Sequence, residues 1–399
     1  MAVDVSNSVY QNTLYCAYFE VDGQANTYNI VVRKKLPTDN FFTQISAIVS
    51  GNTFRDVQFS GIDVDNLGQV HVSFFGSPDS VNYSLYHSVS TDGGTTFSTP
   101  NIISNTQCYN FCPALSGQTI PGINLQRVYP CAYIAADKTT GTFSSGNLYA
   151  AWTAAGINSP LSNGSDIYYS RSTDHGATWS SAVQLNSNAA GDSTHQYYPC
   201  INVSPTGTVA VCWYDRRNYT NQNTDYYMAY SVDGGLTFGN DFSVTSALTD
   251  FSTVGSQNQN FGIGEYNQVV QTPHSAIPFW TDGRTNDGNL NIYCAIVRLD
   301  SVASSVISIG GVANDFSLDF PYPNPAKNYV SIVACSKSAE KISIDIFDAT
   351  GKKVKEIFSG NFFGDRKFDV NLSGLSNANY SVVMKNTSLI AEKQLSIQR

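Results

Sequence analysis

The groups able to do chemistry gather at a few kinds of place. Arg55, Arg127, His195, Tyr197, Glu265 and Tyr266 each open a run of alternating apolar residues. Asp215, Arg216 and Arg217 follow Trp213 in W-Y-D-R-R, and Asp282 and Arg284 follow Trp280 in W-T-D-G-R. Asp166 and Asp225 open further runs, and Glu20 and Asp22 close the first one. Carboxylates move protons, arginines grip acidic groups with paired bonds, and aromatic faces stack on sugar rings, so the set suits a cleft for glycans. The D-x-R pattern occurs twice, which fits equally well a structural ion pair tying a strand edge. The residues alone leave both readings open. Metal chemistry finds no support. His71, His87, His175, His195 and His274 share no ligand spacing, and no C-x-x-C occurs. Asp63, Asp65, Asn66 and Gly68 mimic a calcium loop, but its Glu position holds Phe74, so a hairpin turn is expected there. No G-x-S-x-G elbow is present, and no cofactor is expected.

Such groups need a scaffold, and the composition points to strands. Of 399 residues, 42% are hydrophobic and 13% charged, about half the usual charged share. Gly (30), Tyr (24) and Phe (22) abound while Met (3) is scarce, as in an all-β chain with many turns. The net charge of -9 argues against a nucleic-acid partner. No apolar run reaches the roughly 18 residues of a transmembrane helix. Of eight cysteines, Cys108 and Cys112 share a loop and could pair in an exported chain, whereas most of the others read as small buried hydrophobes.

Charge divides the chain. Residues 1–312 carry 11 basic and 22 acidic side chains, residues 313–399 carry 11 and 9. The expected organisation is a first domain over 1–300, a Ser/Gly-rich linker over 301–315 and a second domain over 316–399. Met1 to Glu20 lacks the features of a signal peptide.

A motif repeats in the first domain: Ser90, Asp92, Gly94, Thr96 and Phe97; Ser172, Asp174, Gly176, Thr178 and Trp179; Ser231, Asp233, Gly235, Thr237 and Phe238. The form S-x-D-x-G-x-T-aromatic suits a hairpin turn, with the carboxylate accepting backbone N–H groups and Gly supplying a positive φ. Upstream of each turn lie three period-two runs, so each unit is a four-stranded blade. One incomplete blade (about 10–50), three full ones (53–105, 126–186 and 197–246) and a last one without a clear fourth strand (261–299) are expected.

These turns resemble the Asp-boxes, or BNR repeats, of the sialidase-like propeller superfamily. The resemblance covers roughly residues 10–300. It implies a β-propeller of five to six blades that engages glycans, acting as an exo-sialidase-like glycoside hydrolase or as a non-catalytic adhesin or scaffold. It makes Asp92, Asp174 and Asp233 structural. In the sialidases three arginines clamp the substrate carboxylate, a Tyr with a Glu beside it is the nucleophile, and an Asp is acid/base. The resemblance therefore puts Tyr266 and Glu265 forward as catalytic, and Arg127, Arg55, Asp215, Arg217, Asp282 and Arg284 as substrate-binding. The family's F-R-I-P motif is present only as Phe54, Arg55 and Asp56. The first blade opens on what reads as its second strand, so an N-terminal truncation is expected.

The last domain reads as a small β-sandwich. Tyr322-Pro323-Asn324-Pro325, Asp348 with Gly351 and Lys352, Leu372 with Leu375 and Tyr380, and Lys393, Leu395 and Ile397 resemble the C-terminal sorting domain of type IX secretion cargo. Ala378 and Asn379 stand where that family usually has Gly. The resemblance implies the type IX machinery as partner and a secreted or outer-membrane-surface location.

Overall fold

In the computed structural model the alternating runs become four-stranded antiparallel sheets. It describes residues 1–22, 27–49, 53–123, 129–161, 163–189, 192–253, 264–285, 288–299, 316–318, 321, 324–348, 351–387 and 390–399. The expected linker over 301–315 lies outside them. The chain divides into two compact units, Met1–Ala303 and Ser304–Arg399.

Five sheets make up the first unit among the described residues. They are β1 (Ala2–Val3), β2 (Leu14–Asp22), β3 (Thr27–Lys35) and β4 (Gln44–Val49); β5 (Asp56–Val64), β6 (Val70–Ser77), β7 (Ser84–Ser90) and β8 (Asn101–Asn105); β9 (Tyr133–Ala136), β10 (Leu148–Ala154), β11 (Asp166–Ser172) and β12 (Val183–Gln184); β13 (Gln196–Val203), β14 (Val209–Asp215), β15 (Asn223–Ser231) and β16 (Phe242–Ser243), with β17 (Thr249–Asp250) added to β15; and β18 (Gln268–Gln271), β19 (Ser275–Asp282), β20 (Asn291–Cys294) and β21 (Val297–Arg298). Each sheet is an up-and-down meander. Successive sheets stack along their inner edges, with β5 against β2, β9 against β5, β13 against β9 and β18 against β13. The first unit is a β-propeller. In its last sheet β20 and β21 both pair with β19, so they form one interrupted third strand.

The repeated turns lock each blade to the one before it. Asp92 Oδ1 accepts the N–H groups of Thr95 (3.0 Å) and Thr96 (2.8 Å), and Oδ2 accepts the Thr96 hydroxyl at 2.7 Å. Asp233 repeats the set with Leu236 and Thr237, and Asp174 with Thr178. What burial they have would raise the Asp92 and Asp233 carboxyls, but these bonds outweigh it and hold both down to about 2. Ser90, Ser172 and Ser231 each accept the N–H of the turn's second Gly, which has a φ of 75°, 87° and 73° in turn. A Cβ there would collide with Tyr15, His87 and Tyr149 of the preceding blade. The same carbonyls receive Ser46 Oγ (2.8 Å), Asn101 Nδ2 (2.9 Å) and Tyr169 OH (3.1 Å) from that blade. Tyr15 on β2 and Tyr149 on β10 take the same part, so β2 is the second strand of its blade, as its sequence suggests.

Blades two and three are joined by a buried polar chain. His175 Nδ1 lies 2.7 Å from Asp65 Oδ2, which lies 3.3 Å from His71 Nε2. His71 Nδ1 in turn meets His87 Nε2 at 3.0 Å, and His87 Nδ1 meets Asn101 at 3.2 Å. Asp65 also caps its own hairpin, accepting the N–H groups of Leu67 and Gln69. That turn is the hairpin expected where the composition mimics a calcium loop.

In the second unit β22 (Phe316–Leu318), β23 (Tyr329–Phe347), β24 (Lys353–Asn371), β25 (Asn379–Lys385) and β26 (Ile390–Ser396) form a bent antiparallel sheet. The start of β23 pairs with β22 and its end with β25, while β24 follows it throughout, slipping register between Ser336 and Glu340. The bend folds the two halves over one core of Ile332, Ile344, Phe362, Val382 and Leu395. Asp348 accepts the N–H of Lys352, and Arg399 ties the C-terminus to the carbonyls of Leu372 and Leu375. All eight cysteines are free thiols, and Cys108 donates its N–H to Cys112 Sγ rather than bonding to it covalently.

Two outcomes follow from these contacts. Replacing Asp233 by Ala leaves two N–H groups unpaired, at a cost of about 2 kcal/mol. The urea midpoint should fall while the slope stays the same. Burial, and next His71 beside it, push the His87 imidazole down to about 3. Unfolded, it takes its proton near pH 6.5. Stability is therefore constant above about pH 6.5 and drains away as pH falls toward about 3, where the folded protein finally binds the proton as well. Calorimetry of the full chain should show a shallower acid decline in His87→Gln; an unchanged decline would exonerate this histidine.

Candidate functional site

The inner strands break at one repeated place. Phe59, Cys131 and Tyr198 each take a left-handed backbone, with φ of 53°, 48° and 52°. The ladder slips beside them, between Gln58 and Gly61 in β5 and between Tyr197 and Cys200 in β13. A non-glycine residue in this region is costly, and a bulge of this kind re-aims side chains. Two of the three, Phe59 and Cys131, line a depression of about 530 Å³. Its walls also carry Tyr18, Tyr129, Tyr133, Glu265 and Tyr266. Four blades contribute to it, through β2, β5, the segment leading into β9, and the segment leading into β18.

Glu265 and Tyr266 reach it together. A strand over 264–272 would send them to opposite faces, but the strand begins only at Gln268. The two residues precede it in irregular backbone, and both face the depression. The Glu265 carbonyl is held by the Tyr133 hydroxyl at 3.0 Å and the Cys131 thiol at 3.7 Å. Burial pushes the Glu265 carboxyl above its ordinary range, opposed only by a bond from its own N–H. Burial raises the phenols of Tyr133 and Tyr266 as well, so both stay neutral. Tyr266 is 88% exposed, a ring offered to solvent. Phe59 and Tyr129 pack at 4.6 Å between centroids, and Arg33 Nε donates to the Tyr18 hydroxyl at 2.7 Å. Sequence reading missed the wall of Phe59, Tyr129, Tyr133 and Tyr18. Gly61 closes the bulge, but the left-handed position itself is Phe59, so no residue type announces the turn that aims these rings.

The arginines fare differently. Arg127 lies outside the described residues. Arg55 is exposed just before β5, and no arginine lines the depression among the described residues. The expectation that Asp215, Arg217, Asp282 and Arg284 bind substrate is corrected by their bonding. Asp215 accepts Trp213 Nε1 at 2.9 Å and Arg217 Nη2 at 2.6 Å, and Arg217 also bonds Asp241 at 2.6 Å. Asp282 accepts Trp280 Nε1 at 2.9 Å and Arg284 Nη2 at 2.6 Å. Arg217 and Arg284 lie over the rings of Tyr227 and Tyr293, 4.4 and 4.1 Å from the centroids. Each carboxylate is buried and filled by its own blade, so the repeat is a strut. Tyr197 and Asp166 are likewise interior: Tyr197 packs on Tyr214 at 5.4 Å, and Asp166 accepts Asn186 Nδ2 at 2.8 Å.

Solved structures with a similar course of chain include a protein of unknown function from Dyadobacter fermentans (13% identity, 79% of this chain and 80% of that one, TM-score 0.40). They also include the Hadza microbial sialidase Hz136 (12%, 92% and 73%, TM-score 0.40) and the Penicillium chrysogenum alpha-L-arabinanase in complex with arabinobiose (12%, 81% and 89%, TM-score 0.40). No curated protein matches the chain. No helix among the described residues is long and apolar enough to cross a membrane, which says nothing of strands. Residues 321–398 match the family model described as the secretion system C-terminal sorting domain, so the second unit is a sorting domain of the type IX secretion route.

Proposed function

We propose that the protein is an exported propeller that binds carbohydrate in the central depression without cleaving it, and that its repeated turns are Asp-boxes. The observation that carries this reading is the wall itself: Tyr18, Phe59, Tyr129 and Tyr266 around a concavity of about 530 Å³, with one carboxyl, that of Glu265. Aromatic faces cover the apolar faces of sugar rings, and a carboxyl oxygen accepts hydrogen bonds from sugar hydroxyl groups. The sorting domain supports delivery to the cell surface or beyond it, where glycans are the common ligand. Sialidase-type cleavage fits less well. Among the described residues no arginine lines the depression, no second carboxylate stands opposite Glu265, and no hydrogen bond joins Tyr266 to Glu265. One observation favours hydrolysis as a second reading: the raised Glu265 carboxyl is suited to protonate a leaving sugar oxygen.

Binding of a glycan panel, read by titration calorimetry, should weaken roughly five- to tenfold in Tyr266→Ala. The melting temperature should not move, since that ring is 88% exposed. Equal binding by the variant would remove the depression as the site. Mass spectrometry of a mixed pool of sialylated and neutral glycans should find no free sugar after incubation with the wild type. Sugar release that disappears in Glu265→Gln would replace the binding reading with the hydrolase.

A further inference from the structure

Arg216 stands where the neighbouring blade has Gly283, so the Trp–Asp–Arg strut is complete without it. It is 3% exposed. Nε donates to Thr224 Oγ1 at 3.0 Å and Nη1 to the Pro121 carbonyl at 2.8 Å. Nη2 is buried with no acceptor, and no carboxylate pairs with the guanidinium among the described residues. The guanidinium also lies over the Tyr197 ring, 5.3 Å from its carbon to the centroid. A buried cation without a counter-ion is expensive, and the two neutral acceptors that tie it to Thr224 and Pro121 leave its charge unpaired.

The guanidinium borders a concavity of about 690 Å³ that shares no lining residue with the central depression. His195, Tyr219, Asn221 and Gln222 stand around it. Burial, and next Arg216 itself, push the His195 imidazole down to about 4, so at neutral pH it adds no charge, and with Nδ1 at 3.4 Å from Ser165 Oγ it offers Nε2 alone. Arg217, also on the wall, is already neutralised by Asp215 and Asp241. Asp250 is the acid on this wall, and its Oδ1 is taken by the N–H and hydroxyl of Ser252. What remains on the wall is the Arg216 guanidinium, which has no salt-bridge partner among the described residues, and the Asp250 carboxylate, behind a rim of amides and a phenol ring, which are groups that bind sugar hydroxyls and ring faces.

We propose that this concavity is a second carbohydrate site, one that takes an acidic sugar of the hexuronate type and sets its carboxylate against Arg216. The amides of Asn221 and Gln222 address the ring hydroxyls, and the carboxylate supplies the acceptor that Nη2 lacks. The site is independent of the central depression and stands or falls apart from it.

Titration calorimetry of the full chain in low salt, with trigalacturonate and uncharged maltotriose as probes, tests this. Trigalacturonate should bind about tenfold tighter than maltotriose, and Arg216→Gln should erase that preference. Asn221→Ala, on the exposed rim, should weaken trigalacturonate severalfold and serves if Arg216→Gln does not fold by circular dichroism. Tyr266→Ala should leave trigalacturonate binding unchanged, which separates this site from the central one. Equal affinity for the two sugars, loss of trigalacturonate binding in Tyr266→Ala, or inorganic sulfate binding as tightly as trigalacturonate would each overturn the proposal.

Discussion

The propeller depends on a carboxylate placed inside a turn. Asp92, Asp174 and Asp233 collect the turn's free N–H groups, which lets the turn close tightly enough to present a glycine carbonyl and a bare α-carbon to the preceding blade. Without the carboxylate those N–H groups would need water, and water would hold the two blades apart. The docking partner varies within one geometry: Tyr15 and Tyr149 fill the space in two cases and His87 in the third. That third case explains the polar chain between blades two and three. A smaller imidazole replaces a phenol, and His71 Nδ1 and Asn101 Oδ1 meet its two ring nitrogens.

The same economy governs the few charges of the first unit. Most charged side chains that sit inside are matched within their own or the adjoining blade, Asp137 with its unpartnered Oδ2 being an exception. Asp215 has Arg217 and Trp213, Asp282 has Arg284 and Trp280, and Asp166 has Asn186. Each pairing satisfies the carboxylate with a directed donor, which is the condition for burying it at all. Against that background Arg216 stands out. The fold solves the problem of buried charge repeatedly, yet among the described residues it leaves Arg216 Nη2 without an acceptor and Asp137 Oδ2 without a donor.

Much of this was legible in the residues, and the failures have physical reasons. Period-two alternation and the turn motif mark the blades, because strands and Asp turns are local and each leaves its own composition behind. The D-x-R repeat left two readings open, a strut or a substrate contact, because the ion pairs that fill Asp215 and Asp282 are visible only in three dimensions. What could not be read was the aim of side chains. Phe59 and Cys131 turn toward the centre through left-handed backbone that no glycine advertises. Glu265 and Tyr266 were expected to diverge by strand alternation, but the strand starts too late to separate them. The isolation of Arg216 was half visible, since W-Y-D-R-R and W-T-D-G-R differ at one position. That no carboxylate pairs with it among the described residues needs three dimensions.

Export places a further demand on the first unit, which carries seven of the eight cysteines, all free. A thiol exchanges or oxidises as its thiolate. Burial raises the thiols of Cys108, Cys112, Cys131 and Cys212, so the reactive form is suppressed where accidental pairing would do the most damage. Cys200 and Cys212 face each other across β13 and β14, and Cys200 Sγ lies 3.5 Å from the Tyr226 hydroxyl. A sulfur in that position packs as a small apolar group against rings. The blade centres thus use cysteine for its volume, and the dense aromatic packing that gives the propeller its shape also shields those sulfurs on the way out of the cell.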